Sequence, residues 1–216
     1  MTFLDQMVNE VLYIVQPLDL CNLNCKYCYL PGRKDPKVMD FDVLESFVKK
    51  IYQSNLSKTA TVCWHVSEPL TAKLPFFEKA MEIFSTHKKD NVFIKQSIQT
   101  NATLINEDWI RFFKKHRIKV TLSVDGPKFI HDRHRVNWKG KGSHDLVQRG
   151  IDKLRSSEML LAAICVISDF SLDYPDEIFN YFVENQFTWI GLSPEELEAN
   201  NTSSSLDISP QYTDPT

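Results

Sequence analysis

DVLESFVKKIY, residues 42–52, with ATVCWH, residues 60–65, behind it, decides the fold. In the first stretch Leu44, Phe47, Val48, Ile51 and Tyr52 fall at i, i+3, i+4, i+7 and i+8, the spacing of one apolar helix face. Asp42 and Glu45 have the spacing of a capping box for that helix. The second stretch is a short apolar run with β-branched and aromatic residues, which reads as a buried strand. Runs of the same kind recur at 11–16, 92–98, 118–124, 160–168 and 188–193. The helical spacing returns between them. It is seen in Phe77, Ala80, Met81 and Phe84, and in Trp109, Phe112 and Phe113 behind an Asn106 cap. It is seen again in Val147, Gly150, Ile151 and Leu154 behind Ser143, and in Ile178, Tyr181 and Phe182 behind Pro175. Strict strand–helix alternation ending on a sixth strand predicts an α/β chain with a parallel sheet. That sheet is either open and doubly wound or a barrel, complete or partial.

In both architectures chemistry gathers where strands end. The unusual polar residues of this chain follow its strands. Cys21, Cys25 and Cys28 come after the first, Ser67 and Glu68 after the second, Gln99, Thr100 and Asn101 after the third. Ser123 and Asp125 come after the fourth, and Ser193, Glu195 and Glu196 after the sixth. All of them belong to one rim.

CNLNCKYC, residues 21–28, has the spacing C-x3-C-x2-C on a loop that leaves a strand. Three thiolates so spaced can wrap one soft metal centre. Two readings stay open on spacing alone. One is a structural zinc closed by a histidine such as His65. The other is an iron–sulfur cluster whose fourth iron is free for a substrate or cofactor. Cys63 and Cys165 lie inside apolar runs and read as small buried hydrophobes.

Composition narrows the classes. The net charge is −3 with both signs interspersed, so no broad basic field is available for nucleic acid or anionic lipid. The start, MTFLDQMVNEVLYIVQ, has no basic region followed by an apolar one, which argues against a signal peptide or a membrane span and for a cytoplasmic protein. Five unevenly placed cysteines make no disulfide framework. The stretch from residue 199 to 216, NNTSSSLDISPQYTDPT after Ala199, lacks aliphatic periodicity and reads as a polar tail or the truncated start of an extension, behind a core domain of residues 1–198.

CNLNCKYC closely resembles the signature of radical S-adenosylmethionine enzymes, and CWHVSEPL, QTNATLIN, LSVDGPKFIHDRHR and SPEELEANN resemble that family's later strand exits. The set is most similar to peptide and protein maturases with a SPASM-type extension, anaerobic sulfatase-maturing enzymes among them. QTNATLIN, DGPKFIHDRHR, GKGSH and SLDYPDEIFN resemble, within these, the GrrM-type cyclophane-forming maturases. The resemblance implies a radical SAM core, a partial (β/α)6 TIM-type barrel. It implies a 4Fe-4S cluster on Cys21, Cys25 and Cys28, with S-adenosylmethionine chelating the fourth iron. By the same resemblance Tyr27 packs beside the adenine, Glu68 accepts from the methionyl ammonium, and Ser67 belongs to the cofactor-binding strand end. Ser123 contacts ribose or carboxylate, Arg149 or Arg135 pairs with that carboxylate, and Gln99 and Asn101 contact cofactor or peptide. Asp125 is a catalytic candidate, though Asp-Gly-Pro is first a turn signal.

The implied reaction is reductive cleavage of the cofactor and hydrogen abstraction from a precursor peptide or protein, with a crosslink as product. An electron donor such as flavodoxin or ferredoxin is the second partner. The family usually has glycine at the position of Ser67 and often at that of Val66, where backbone approaches the cofactor. The cysteine-rich extension of the SPASM relatives is not among these residues, so the expectation is a core only: a truncated variant, a fragment or an engineered core. The alternative function is a remnant that binds a cluster but is catalytically impaired.

Overall fold

The computed structural model describes residues 10–54 and 56–206. The N-terminal stretch read as free of a targeting signal lies largely outside them, as does the end of the expected tail. Six strands, β1 Val11–Val15, β2 Thr59–Trp64, β3 Phe93–Thr100, β4 Lys119–Ser123, β5 Leu161–Ile167 and β6 Phe187–Pro194, form one sheet in chain order, every neighbouring pair parallel. Each expected strand is present within a few residues of its sequence bounds. Helices α1 Phe41–Gln53, α2 Lys73–Thr86, α3 Glu107–His116, α4 Lys128–His134, α5 His144–Ser156, α6 Asp169–Leu172 and α7 Pro175–Glu184 fill the crossovers. β1 and β6 each pair on one side, and all six strand exits face one cavity, so the sheet is a partial (β/α)6 barrel.

Alternation along the strands divides the two faces. Ala60, Val62 and Trp64 of β2, Val120 and Leu122 of β4, and Leu161, Ala163 and Cys165 of β5 are buried. They pack under helices. Trp64, fully buried, makes edge contacts with Phe76, Phe77 and Phe84 of α2, and Phe77 passes the contact on to Trp109 and Phe112 of α3. Rings in such geometry add about 0.5–1.5 kcal/mol per pair beyond their buried area. α5 comes close to the exit of β3, where a Cβ on Gly150 would stand 2.5 Å from the Ala102 carbonyl oxygen. Glycine is the residue that permits this approach.

Two local expectations are corrected. α1 is capped by Asp40, which accepts from the Asp42 amide, and Glu45 pairs instead with Lys49 and His87. Asp40 is the last residue before the first helical turn, the place where an oxygen reaches a free amide. Ser143 stands at the start of α5 but makes no capping bond, because its hydroxyl donates to the Arg135 carbonyl. Asn106 and Pro175 sit where expected, at the N-cap of α3 and the first position of α7. The polar stretch after Glu198 is, up to Leu206, tied to the barrel. Asn200 donates its amide to the Tyr29 carbonyl, and Ser205 donates to a Glu195 carboxylate oxygen and accepts from the Asp169 amide.

Candidate active site

The loop between β1 and α1 has no ladder to hold it, so its shape comes from cross-contacts. The Cys21 amide donates to the Arg33 carbonyl at 2.9 Å, the Asn24 amide to Val136 at 2.7 Å and the Lys26 amide to His134 at 2.9 Å. Asn22 and Asn101 join side chains at 2.8 Å, and Asn22 also donates to Thr103. The Trp138 indole donates to the Cys21 carbonyl at 2.9 Å. Thus the loop after α4 and the exit of β3 clamp the cysteines from two sides.

Cys21, Cys25 and Cys28 line one cavity of about 330 Å³ together with Tyr27, His65, Val66, Ser67, Gln99, Asn101, Ser123 and Arg135. The sequence picked out eight of those eleven outright as site residues and named Arg135 as an alternative. Its floor is polar, with Gln99 donating to the Ser123 hydroxyl at 2.8 Å. Ile164, Val166, Glu195, Glu196 and Glu198 close the far side. Burial pushes the Cys21 thiol up to about 12, helped by the Glu68 charge, and Cys25 to about 11. Among the described residues no three His, Cys, Asp or Glu side chains are gathered closely enough to hold a single metal ion. A mononuclear zinc needs its ligands gathered at about 2.0–2.3 Å from one centre.

Glu68 is the residue that the resemblance gives to the methionyl ammonium. It is fully buried and absent from the cavity wall. Its carboxylate accepts from the Leu70 amide at 3.0 Å, the Thr100 hydroxyl at 2.7 Å and the Asn101 amide at 2.7 Å. Here it joins the turn after β2 to the exit of β3, and burial raises it to about 7. Val66 and Ser67 do face the cavity, with φ of 70° and 56°. Both non-glycine residues therefore hold the left-handed conformation that glycine favours. The Ser67 hydroxyl donates to the Asp19 carbonyl at 2.9 Å.

Asp125 is a hub. One carboxylate oxygen accepts from Arg135 Nη2 and the Val166 amide, the other from Arg135 Nε and the Tyr27 hydroxyl, the last at 2.5 Å and the rest at 2.9 Å. Asp125 is 3% exposed and does not line the cavity. Although burial alone would raise it, the Arg135 guanidinium holds its carboxyl below the usual range. Asp125 thus ties the fourth strand exit to the cysteine loop, to α4 and to β5. In this arrangement the carboxylate's bonds are all to groups that hold the site together.

His131, fully buried, supports the hub. The Ser143 hydroxyl spends its proton on the Arg135 carbonyl, so its contact with His131 Nε2 at 3.0 Å requires the proton on Nε2. Nδ1 is then free to accept from the Asp125 amide at 3.3 Å. Burial pushes this imidazole down to about 3, which keeps it neutral.

Arg149 is exposed on α5 and outside the cavity wall; the guanidinium that reaches the wall is that of Arg135. Sequence reasoning passed over Trp138 and gave His131 no part in the site. His131 and Arg135, four apart on one helical stretch, were a readable signal; nothing in the local sequence marks Trp138.

Residues 15–182 match the Radical SAM superfamily. The chain belongs to that superfamily. It is 40% identical over 201 residues to an uncharacterized protein of Synechocystis, covering 91% of this chain and 50% of that protein. It is 35% identical over 191 residues to a serine-type anaerobic sulfatase-maturating enzyme of Bacteroides thetaiotaomicron, covering 85% and 46%. The solved structure of native anSMEcpe with bound AdoMet and Kp18Cys peptide superposes with a TM-score of 0.81 at 30% identity, over 87% of this chain and 52% of that one. SuiB of Streptococcus suis bound to its precursor peptide SuiA shares the fold, with a TM-score of 0.67 at 17% identity. The chain spans about half the length of the curated relatives it matches.

The radical SAM cofactors are a 4Fe-4S cluster and S-adenosylmethionine, and the residues present fit them. Three cysteines line one cavity, with an aromatic wall and a polar floor beside them. Coordination deprotonates such thiols outright, which removes the cost that burial sets on their thiolate form. The superfamily match, whose cofactors are the cluster and S-adenosylmethionine, sets the zinc alternative aside.

Proposed function

We propose that this chain is the core of a radical SAM maturase that abstracts hydrogen from a side chain of a ribosomally made peptide or protein, with a crosslink as the product. The observation that carries the reading is the single cavity where the three cysteines meet Tyr27, Gln99, Ser123 and Arg135 at the open strand exits. When bound, the cluster and S-adenosylmethionine supply reductive cleavage of a sulfonium carbon–sulfur bond and hydrogen abstraction from a substrate carbon. The chain's own residues hold and orient. Cys21, Cys25 and Cys28 are the ligands. Tyr27, fixed by Asp125, presents a ring edge and excludes water from the sulfurs. Gln99 and Ser123 offer polar atoms to the cofactor's sugar or amino-acid end. Arg135, its Nε and Nη2 held by Asp125, complements a carboxylate. Asn101 fixes the cysteine loop through Asn22.

Peptide-bound relatives support a peptide substrate, and the similarity to GrrM-type maturases supports abstraction at a side-chain β-carbon. An electron donor of the flavodoxin or ferredoxin class completes the set of partners. We place the protein in the cytoplasm on its free cysteines; among the described residues no helix is long and apolar enough to cross a membrane.

The test is anaerobic reconstitution with iron and sulfide, followed by dithionite and S-adenosylmethionine, with 5'-deoxyadenosine read by mass. About four irons per chain with 5'-deoxyadenosine formation is the expected result. Iron uptake without 5'-deoxyadenosine favours the impaired remnant, for which the side chains on Val66 and Ser67 are the structural reason. No iron uptake refutes both readings.

A further inference from the structure

We propose that the basic face around Trp138 docks an acidic one-electron carrier protein of the flavodoxin class and passes its electron inward through the Cys21 loop. The inference rests on the assignment of the three cysteines above. Lys26, Lys34, Arg133, Lys139 and Lys141 are exposed, and Arg33 is half-buried. Among the described residues none of these six is in an ion pair. Five of them are drawn together by the contacts that clamp the cysteine loop, while the Arg133 guanidinium lies over the Phe170 ring of α6, 3.7 Å from its centre. Lys34 Nζ stands 4.4 Å and the Arg33 guanidinium 5.4 Å from the Trp138 ring centre. Lys26 bonds to the loop at His134, next to Arg133, and Lys141 closes the turn that carries Trp138 and Lys139. Asp35 is the one acidic residue between Lys26 and Lys37. A chain of net charge −3 thus presents a local excess of positive charge on the outer side of its metal-binding loop.

The centre of the patch is a partly exposed indole whose N–H is bonded to the carbonyl of a cysteine ligand. A carrier seated on Trp138 is separated from Cys21 by one hydrogen bond. In the step, one electron leaves the carrier, which is oxidised by one, and enters the iron–sulfur group held by the cysteines, which is reduced by one; no bond is made or broken. An acidic peptide is the competing occupant of a basic patch. The carrier is favoured because the cavity that a peptide must enter is bordered by exposed Glu196 and Glu198, which repel an acidic segment.

The test follows reduction of the reconstituted chain by stopped flow, with an acidic flavodoxin in its hydroquinone form against dithionite. The comparison is between the parent and Lys34→Glu/Lys139→Glu. Reversal of two charges slows flavodoxin-driven reduction about tenfold or more at low salt and leaves the dithionite rate unchanged. The parent rate falls as salt rises, because screening shortens the reach of the patch to about 8 Å at physiological ionic strength. Lys88→Glu/Lys89→Glu, on exposed positions at the opposite end of the sheet, leaves both rates unchanged. Equal flavodoxin rates in parent and double variant overturn the proposal. So does a double variant that keeps its flavodoxin rate but loses binding of an acidic peptide, which assigns the patch to substrate. If the variant slows dithionite as well, or if no cluster assembles in any chain, calorimetric titration of oxidised flavodoxin onto the chain decides. Affinity lowered by the two reversals supports the surface, and affinity unchanged or absent in the parent overturns it. Absence of the cluster alone refutes the function proposed above.

Discussion

Asp125→Asn keeps shape and removes one charge from a site where four donors converge. In the native chain both carboxylate oxygens are used twice, and Arg135 beside them is 7% exposed. An asparagine retains one acceptor oxygen, so two donors face its amide nitrogen. Removing one partner of a buried ion pair costs about 3–5 kcal/mol, and each neutral hydrogen bond lost adds about 1 kcal/mol. A loss of about 4 kcal/mol follows, a large share of the roughly 5–15 kcal/mol by which a domain is stable. Arg135→Met leaves the carboxylate with Tyr27 and Val166 alone and costs about 3 kcal/mol by the same reasoning. In Asp125→Asn/Arg135→Met neither charge is stranded, so the double change costs about as much as one single, and the cycle shows a coupling of about 3 kcal/mol or more. Urea unfolding of the metal-free chain under reducing conditions, followed by tryptophan fluorescence, measures all four corners. A cost below about 1 kcal/mol for Asp125→Asn, or simple additivity, would refute the account of Asp125 as the anchor.

Two further outcomes test neighbouring parts of the structure. Long-range proton–nitrogen correlation spectra should show His131 neutral, with its proton on Nε2, down to pH 5, since burial sets it at about 3. Its folded value lies below the unfolded 6.5, so its contribution to stability is complete above pH 6.5 and is lost as pH falls toward 3; an imidazolium signal at pH 6 would contradict the tautomer derived from Ser143. Val66→Gly should stabilise the chain, because a β-branched residue at φ 70° carries strain of about 1–3 kcal/mol. The extra freedom of glycine when unfolded returns up to about 1 kcal/mol of that. The melting temperature is expected to rise by about 2–4 °C, and a fall in it would show that the left-handed turn is unstrained.

What could be read in the linear chain was whatever repeats or clusters within it. Period-two apolar runs and period-3.6 faces are local, so six strands, most helix starts and the parallel topology followed from residues such as Val62, Trp64, Leu44 and Ile51. The cysteine spacing is local as well, and the rule that chemistry lies at strand exits brought Tyr27, Gln99 and Ser123 to the right rim. What the linear chain left open depends on distances between segments far apart in sequence. Glu68 turned its carboxylate toward amides of the β2 and β3 exits because a buried charge must be satisfied by the nearest donors. Asp125 was taken up by Arg135, ten residues on, and Tyr27, 98 residues back. Arg135 and Arg149 look alike in sequence, and only the path of α4 and α5 buries one and exposes the other. Trp138 reaches Cys21 across 117 residues. The sequence by itself therefore determined the fold, the rim and the cysteine cluster, since periodicity and spacing are properties of neighbours. Only the tertiary structure decided which polar groups face the cavity and which are spent in holding it, because burial makes each of them take the partner that folding brings within reach.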